Sequence, residues 1–310
     1  KVVLSVLLLI LPIMYFLRKP VKLSNYPGKY VVVTGATGGV GSEIVNRMLK
    51  THHVIALDKD QDLLIKLSQK HEKVVSFCFD FLGDLTTFEP MFDEFLQKNN
   101  IAKHDIAFCF SNAGHGYFHP FEKTSFEDKQ NFLQVNVDSH MCVSDYFVKV
   151  FLDRFRTHKQ KSGLIFTTSA FSHVPMWRFQ MYHTAKTALS SLCNALYAEY
   201  KHQGIDVLGV HPYSITKSKF MYHKDMNMFG FQVNVDYLPC SVSPKSIVNQ
   251  MTSRLGKINA CQTGSFTVAH ALMYSLGRNF NGICWGFVDW FGDSVVKLFR
   301  VKEPRYASVK

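Results

Sequence analysis

The stretch YVVVTGATGGVG, residues 30–41, joins a short apolar run to a glycine-rich turn that opens an amphipathic stretch. Glycines let the backbone turn tightly and approach a pyrophosphate, and the N-terminus of a following helix stabilises the phosphate charge. Asp58 ends the next apolar run, where its carboxylate can hydrogen-bond a ribose 2′-hydroxyl and would repel a 2′-phosphate. The pattern predicts a dinucleotide site, with an ordinary strand-to-helix turn as the plainer alternative. The expected contacts in the turn are Gly35, Thr37, Gly39, Val40 and Gly41.

Apolar runs and amphipathic stretches alternate through residues 29–211. The predicted strands are Tyr30–Thr34, His53–Asp58, Val74–Asp80, Ile106–Ser111, Leu164–Ser169 and Val207–His211. The predicted helices are Gly39–Thr51, Asp60–Lys73, Thr86–Asn99, Val137–Thr157, Tyr182–Gly204 and Pro244–Leu255. Strand followed by helix, with near-continuous apolar strands, predicts a parallel sheet covered on both faces. We therefore expect one doubly wound α/β domain of Rossmann type, with a core over 28–216 and a substrate loop and C-terminal extension over 217–310.

Composition places the chain among globular proteins. It has 310 residues, of which 47% are hydrophobic and 19% charged, so a large core can form. Lys and Arg number 35 against 24 Asp and Glu, a net charge of +11 that suits anionic lipid headgroups or a phosphorylated substrate. Nucleic acid is not an expected partner, because the basic residues form no long run. The seven cysteines have no CxxC or metal-ligand spacing, which predicts reduced, buried thiols and no metal site.

The N-terminal stretch predicts a membrane anchor. Residues 2–17 carry no charge, and Arg18, Lys19 and Lys22 follow at once. As a helix this run reaches about 24 Å, short of a hydrocarbon core of ~30 Å, so a buried N-terminal helix stays open. A cleaved signal peptide fits less well, because no small-x-small site precedes Arg18. We expect the anchor over residues 1–19, with the main domain held in the cytoplasm by the basic residues.

Two later stretches are apolar as well. Residues 220–231 are rich in Met and Phe and follow the sixth predicted strand, which suits an adaptable lid over a substrate as well as plain core. The tail beyond Gly264 is aromatic but carries scattered charges, so we expect an interfacial or packed segment and not a second span.

Polar residues follow the predicted strands at the edge where open α/β sheets bind ligands. Asp80 follows the third strand, Asn112-Ala113-Gly114 follows the fourth, and Ser169 closes the fifth. Tyr182 and Lys186 lie one turn apart on a predicted helix, so they share a face. Each residue taken singly has an ordinary alternative as a turn or surface residue. Their joint occurrence makes a catalytic site the favoured interpretation.

The order and spacing of these motifs resemble the short-chain dehydrogenase/reductase family over residues 29–217. The residues that carry the resemblance are the glycine turn, Asn112-Ala113-Gly114, Asn136, Ser169 and Tyr182-His183-Thr184-Ala185-Lys186. A narrower resemblance lies in His211-Pro212-Tyr213-Ser214-Ile215, where Tyr follows Pro as in membrane-bound 17β-hydroxysteroid dehydrogenases and very-long-chain 3-oxoacyl-CoA reductases. The resemblance implies a catalytic set of Asn136, Ser169, Tyr182 and Lys186. It also implies cofactor contacts from Asp80, Asn112, Ala113, Gly114, Tyr182, Lys186, Pro212 and Ile215.

The implied chemistry moves a hydride between a nicotinamide and a carbinol carbon, with a matching proton on the oxygen. Tyr182 would exchange that proton, and Lys186, together with the positive ring of the oxidised cofactor, would lower a phenol pKa that is about 10 when unperturbed. Ser169 would hydrogen-bond the substrate oxygen. Asn136, by resemblance, shapes the helix that holds a water-linked proton relay. Asp80 suits a turn as well as an adenine contact.

Cofactor and substrate follow from the same residues. Asp58 favours NAD(H), whereas Lys59 leaves NADP(H) open. Lys217 stands where the branch usually carries Thr, which bears on the nicotinamide contacts there. The expected substrate is a steroid or a long-chain 3-oxoacyl-CoA at the endoplasmic reticulum membrane, and a homodimer stays open. The alternatives are another lipid carbonyl, such as a 3-oxosphingoid base or a retinoid, and a non-catalytic nucleotide-binding relative.

Overall fold

A parallel sheet forms the centre of the fold. The computed structural model describes residues 23–117, 119–173, 179–216, 241–257 and 260–263. Its strands are β1 Tyr30–Thr34, β2 His53–Asp58, β3 Val74–Cys78, β4 Ile106–Ser111, β5 Ser162–Thr167, β6 Ile205–Pro212 and β7 Ala260–Thr263. These seven described strands have the order β3-β2-β1-β4-β5-β6-β7, and all neighbours run parallel. The order reverses between β1 and β4, which opens a crevice at the carboxyl ends of those strands.

Helices connect the strands. Those in the described ranges are α1 Gly39–Met48, α2 Gln61–Lys70, α3 Phe88–Lys98, α4 Phe126–Leu133, α5 Ser139–His158, α6 Gln180–Tyr200 and α7 Pro244–Arg254. A π-helical turn, Gln134–Asp138, joins α4 to α5. Asp60, Ser125 and Ser243 precede α2, α4 and α7, and their side chains accept hydrogen bonds from backbone amides of the first turn. These caps satisfy amide groups that a helix start otherwise leaves without partners.

Both faces of the sheet are buried. Phe147 of α5 and Leu189 of α6 belong to one core cluster with Val32 of β1, together with buried side chains of α3. On the opposite face, Ile44 of α1 and Ile247 of α7 pack in a cluster with Val33. Successive residues of β1 therefore enter different cores, which explains why the strand is apolar throughout. The predicted doubly wound α/β fold is confirmed.

The boundaries differ from the prediction at the functional edge. β3 ends at Cys78 and β5 at Thr167, so Asp80 and Ser169 lie in the connections and not in strands. The prediction also missed α4, the π-helical turn and β7. β7 has four residues and little β-branched character, which leaves no periodic signal. The cap of α4 was a usable signal, since Ser125 precedes the helix and accepts from the amide of Asp128.

Several predictions fall outside the described residues: the anchor over 1–19, the Met- and Phe-rich stretch 220–231, Lys217, and the tail beyond Gly264. None of the described helices combines the length and apolar composition that crossing a membrane requires. The described cysteines form no disulfide bonds. Cys109 and Cys193 are buried as predicted, whereas Cys78 is exposed at the end of β3, which contradicts the expectation for that residue.

Candidate active site

A cleft of about 890 Å³ lies at the carboxyl edge of the sheet. Most of the predicted site residues line it: Gly35, Thr37, Gly39, Val40, Asp58, Asp80, Asn112, Ala113, Gly114, Ser169, Tyr182, Lys186, Pro212 and Ile215. Gly41 and Asn136 are not among the lining residues. The structure thus brings the predicted catalytic and cofactor-binding residues together at one cleft, with Gly41 and Asn136 lying behind the residues that line it.

The glycine turn is built for close backbone approach. Gly35 has φ +63°, a conformation that favours glycine. A Cβ on Gly41 would lie 1.9 Å from the Gly35 carbonyl oxygen, so no side chain fits where α1 packs on the turn. The N-terminus of α1 faces the cleft through Gly39 and Val40. Gly41 therefore shapes the turn, which Gly39 and Val40 present to a ligand.

Asp58 is held in place at the end of β2. Its Oδ2 accepts hydrogen bonds from the Thr37 amide at 3.0 Å and from the Thr37 hydroxyl at 2.8 Å. Its Oδ1 accepts from the Lys59 amide at 2.8 Å. The carboxylate is thus anchored to the glycine turn, and the charge of Asp58 stays at the wall of the cleft. Asp80 lines the cleft too, but its Oδ1 caps a local turn by accepting from the Leu82 amide at 3.0 Å.

Asn112 ties three strand ends together. Its Nδ2 donates to the Thr34 carbonyl at 3.1 Å, and its Oδ1 accepts from the Thr167 hydroxyl at 2.8 Å. The Thr34 hydroxyl oxygen accepts from the amides of Asn112 and Ala113 at 2.8 and 2.9 Å. These contacts join β1, β4 and β5 where the crevice opens. The sequence prediction missed Thr34 and Thr167, although both lie at the ends of strands that carry site residues.

Asn136 lies in the π-helical turn and is fully buried. Its Nδ2 donates to the Phe132 carbonyl at 3.0 Å, and its Oδ1 accepts from the His115 amide at 3.2 Å. A Cβ on Gly114 would lie 2.8 Å from the same Oδ1, so the loop can approach only as glycine. Asn136 therefore holds the loop that follows Ala113 from behind. The water-linked relay stays a prediction.

Ser169 begins a short 3-10 turn, Ala170–Ser172, just beyond β5. Its backbone is extended, and its Oγ accepts from the Phe171 amide at 3.2 Å. A hydrogen bond also joins its side chain to Tyr182, where it lowers the pKa of the phenol. Ser169 is buried at the wall of the cleft. Its hydroxyl thus sits between the turn and the phenol.

Tyr182 and Lys186 share the inner face of α6. Both are buried, and Lys186 Nζ lies 5.8 Å from the centroid of the Tyr182 ring. The Nζ donates to the Thr167 carbonyl at 3.1 Å. Burial lowers the pKa of Lys186 to about 8. In the chain without cofactor, burial also raises the pKa of Tyr182 to about 12 despite the Ser169 hydrogen bond, because the phenolate is desolvated. The lowering expected with the oxidised cofactor bound stays a prediction.

The glycine cradle, the helix N-terminus and the anchored Asp58 fit a dinucleotide, with Tyr182 and Lys186 at the other part of the same cleft. A model of the short chain dehydrogenase family matches residues 29–227, most of the chain. The chain belongs to the short chain dehydrogenase family. The family resemblance seen in the sequence is therefore confirmed.

Curated relatives of this short chain dehydrogenase carry the name of the branch indicated by the sequence. One is a very-long-chain 3-oxoacyl-CoA reductase from Meyerozyma guilliermondii, 26% identical over 64% of this chain and 61% of the relative. Another, from Schizosaccharomyces pombe with the same name, is 25% identical over 66% of this chain and 62% of the relative. The chain thus aligns with about three-fifths of each relative's length.

Solved structures share the fold. A 3-ketoacyl-(acyl-carrier-protein) reductase from Brucella melitensis, complexed with NADH, has a TM-score of 0.67 and 17% identity, covering 78% of this chain and 98% of that one. A serine dehydrogenase complexed with NADP⁺ has a TM-score of 0.65 and 19% identity, covering 76% of this chain and 94% of that one. At these identities the likeness establishes the fold alone.

The short chain dehydrogenase cleft has an aromatic wall that the sequence prediction missed. The rings of Phe171 and Phe179 stack at 5.4 Å, and Phe179 lies 6.0 Å from Tyr182. Tyr117 lines the same cleft from the loop after β4. His115 and His119 also line it, whereas His183 hydrogen-bonds the Phe171 carbonyl and serves the packing of the turn. Aromatic residues just beyond strand ends were the available signal.

Proposed function

We propose that this chain is an NAD(P)-dependent oxidoreductase that interconverts a secondary alcohol and a ketone on a lipophilic substrate. The observation that carries the proposal is the convergence of Ser169, Tyr182 and Lys186 on one buried wall of the cleft. A Ser169–Tyr182 hydrogen bond and the Lys186 ammonium beside the ring form a proton-transfer site within a dinucleotide-binding cleft.

The residues divide the work of reducing a ketone. The nicotinamide, when bound, supplies the hydride that the carbonyl carbon accepts. Tyr182 stays protonated at neutral pH because its pKa is raised to about 12, so its hydroxyl can give its proton to the substrate oxygen. Ser169 donates a hydrogen bond to that oxygen as charge develops there. Lys186, protonated below its pKa of about 8, favours the phenolate left on Tyr182.

The aromatic wall supports a lipophilic substrate. Phe171 and Phe179 offer stacked apolar surface beside Tyr182, and Tyr117 adds a third ring to the lining. Such a surface stabilises apolar groups next to the reacting carbonyl. We propose a long-chain 3-oxoacyl-CoA or a steroid ketone, the first in keeping with the name of the curated relatives. Another lipid carbonyl, such as a 3-oxosphingoid base or a retinoid, is the alternative.

The decisive variant is Tyr182→Phe in the full chain. Turnover of 3-oxopalmitoyl-CoA or of a steroid ketone with NADH and NADPH should fall by at least about 100-fold, because the proton donor is lost. Cofactor affinity, measured by NADH fluorescence, should stay within about twofold of wild type, a change of about 0.4 kcal/mol. Tyr197→Phe, on the same helix and away from the cleft, is the matched control. If Tyr182→Phe turns over these ketones at the wild-type rate, the mechanism is refuted.

We propose NAD(H) as the preferred cofactor. The Asp58 carboxylate, anchored by Thr37, would accept a hydrogen bond from a ribose 2′-hydroxyl and repel a 2′-phosphate. Asp58→Asn keeps the size and removes the charge, so kcat/KM with NADH relative to NADPH should fall by about tenfold or more. A wild-type enzyme that strongly prefers NADPH would overturn this assignment, and Lys59 would then be the residue to test against the 2′-phosphate.

We also propose anchoring in the endoplasmic reticulum membrane through residues 1–19, with the catalytic domain in the cytoplasm. The uncharged run 2–17 and the basic residues after it support this proposal. A fluorescent fusion should colocalise with a reticulum marker and stay in the pellet after a carbonate wash, whereas a variant lacking 2–17 should be released. Release of the intact chain would contradict it.

We propose a homodimer, for which light scattering in detergent should give the mass of two chains.

A further inference from the structure

A buried polar cluster surrounds the backbone carbonyl of Ser169. It consists of Ser169, Ser172 and His211, each less than about one-tenth exposed, and we call it the serine-turn cluster. The Ser172 hydroxyl donates to the Ser169 carbonyl at 2.6 Å. His211 Nδ1 lies 3.1 Å from Ser172 Oγ and 3.2 Å from the Ser169 carbonyl oxygen. The reaction described above makes no use of Ser172 or His211.

The hydrogen bonds define the tautomer of His211. Ser172 has one hydroxyl proton, and the 2.6 Å contact places it on the Ser169 carbonyl. The Nδ1 atom then faces two oxygens, and only a hydrogen on Nδ1 satisfies both contacts. His211 is therefore the Nδ1–H tautomer.

The cluster links two separate elements. Ser169 and Ser172 belong to the turn after β5, whereas His211 lies near the end of β6. The last backbone bond of this strand pair joins the Thr168 amide to the Val210 carbonyl at 2.8 Å, so Ser169 lies just beyond the ladder. Beyond this bond, the side chain of His211 on β6 contacts the Ser169 carbonyl, so β6 stays connected to the chain that follows β5 for one more residue. This side chain reaches the position where the turn replaces the strand.

The Ser169 carbonyl and hydroxyl are mechanically coupled. The ψ angle of Ser169, 153°, sets the direction of its carbonyl and the position of the following peptide. The Ser169 hydroxyl oxygen accepts from the Phe171 amide in that segment. A fixed carbonyl therefore fixes the amide that orients the hydroxyl, and the same hydroxyl contacts Tyr182.

We propose that His211 is a positioning residue that, with Ser172, clamps the Ser169 carbonyl and so orients the Ser169 hydroxyl toward Tyr182. This inference rests on the proposed function, because the orientation has a consequence only where Ser169 and Tyr182 act on a substrate oxygen.

The surroundings keep the clamp in its neutral form. The His173 ring lies 4.8 Å from the His211 ring at the end of the turn, and Lys186 faces His211 from α6. Burial, the His173 interaction and Lys186 together lower the pKa of His211 to about 3, against a hydrogen bond to Ser169 that raises it. The Nδ1–H donor is thus unchanged across the range in which the enzyme would work.

The test compares variants of the full chain with NADH and 3-oxopalmitoyl-CoA. His211→Leu keeps the volume and removes the donor, and we expect kcat to fall by about tenfold with little change in the KM for NADH. His211→Asn returns an amide N–H near the position of Nδ1 and should restore most of the rate. Ser172→Ala should lower kcat similarly, and the double variant should lose less than the product of the single effects.

The matched control is Ser144→Ala. The Ser144 hydroxyl is buried and donates to the His140 carbonyl at 2.6 Å, the same kind of bond as that of Ser172, but Ser144 does not line the cleft. We expect comparable loss of thermal stability in both serine variants. Only Ser172→Ala should lower kcat. A structural role alone would make the two variants alike in activity.

The pH profile provides a readout specific to orientation. The Ser169 hydrogen bond lowers the Tyr182 pKa, so a loosened Ser169 should move the phenol limb of ketone reduction, which lies above the Lys186 limb near pH 8, to higher pH. The other titratable groups in the described lining of the cleft are Lys186 from the same helix, His115, Tyr117 and His119 from the loop after β4, Tyr213 after β6, and Asp58, Lys59 and Asp80 at or just beyond the ends of β2 and β3. These groups are unchanged in His211→Leu. A limb that moves with His211→Leu and returns with His211→Asn supports the clamp.

One measurement is independent of turnover. Nitrogen-detected NMR of labelled histidine, assigned by difference from His211→Asn, should show a neutral Nδ1–H ring at neutral pH. The Nε2–H tautomer would overturn the inference even in an inactive protein. Wild-type failure on every ketone would instead refute the proposed function. In an active wild type, a His211→Leu variant with unchanged kcat, or an Asn variant that restores nothing, would overturn the clamp.

Discussion

The glycine turn offers a sharp test of how the dinucleotide site is built, through the substitution Gly41→Ala. The added Cβ would lie 1.9 Å from the Gly35 carbonyl oxygen and 3.0 Å from the Ala36 Cα. Both neighbours are backbone atoms, so no side chain can rotate away. The turn must move by roughly an ångström, and overpacking of this kind costs about 1–3 kcal/mol of folding free energy.

Cofactor affinity should suffer as well, because the displaced turn carries Thr37 and the N-terminus of α1. We expect the NADH dissociation constant of Gly41→Ala, measured by fluorescence, to rise by at least about tenfold, or about 1.4 kcal/mol. Gly83→Ala is the matched control, since its Cβ would lie 3.2 Å from the Asp80 carbonyl oxygen, needs only a small adjustment, and does not line the cleft. Equal NADH affinity for the two variants would refute the steric reasoning.

Two further substitutions probe buried cations. Lys186→Met should raise the free energy of unfolding of the cofactor-free chain at pH 7 by about 2 kcal/mol. Burial lowers the Lys186 pKa from 10.5 to about 8, so the buried ammonium destabilises the folded chain at this pH. The loss of the hydrogen bond to the Thr167 carbonyl offsets part of the gain. Between pH 8 and pH 10.5 the unfolded wild-type chain binds more protons at Lys186 than the folded chain, so wild-type stability rises with pH. The stability difference between the variant and the wild type, measured by urea titration, should therefore shrink over this range. A difference that stays constant with pH would contradict the prediction. Burial of Arg154 has a cost too, since desolvation lowers its pKa to about 10, but its guanidinium donates to the His104 carbonyl at 2.7 Å, to the Ser162 hydroxyl at 3.0 Å and to the Lys161 carbonyl. Because three bonds from a charged donor outweigh that cost, Arg154→Met should lower stability by about 2–4 kcal/mol without weakening NADH binding. A loss below about 1 kcal/mol in urea titrations would show that water replaces these bonds.

The predictable parts of the fold are those with strong local signals. β1 and the start of α1 follow from an apolar run and a glycine turn, and both occur where the pattern predicts them. β7 has no such signal, because Ala260–Thr263 becomes a strand only by pairing with β6. The π-helical turn around Asn136 is equally hidden, since local propensity does not distinguish it from the helix that follows.

The candidate site divides in the same way. Tyr182 and Lys186 were predictable as a pair because one helical turn places them on one face. The position of Ser169 was less so, since β5 ends early and the serine caps a turn. The partner of Asp58 is Thr37, a contact that depends on the approach of β2 to the glycine turn.

The glycine turn of a dinucleotide site, the parallel sheet and the Tyr182–Lys186 pair could be predicted from the amino-acid sequence, because each depends on neighbours within one or two elements. The surroundings of these residues depend on the packing of the whole domain. His211 of β6 lies beneath Ser169, and Tyr182 is buried, so that desolvation raises the pKa of its phenol in the chain without cofactor. Burial and long-range hydrogen bonds are produced by distant segments packing together, so no local pattern in the chain encodes them.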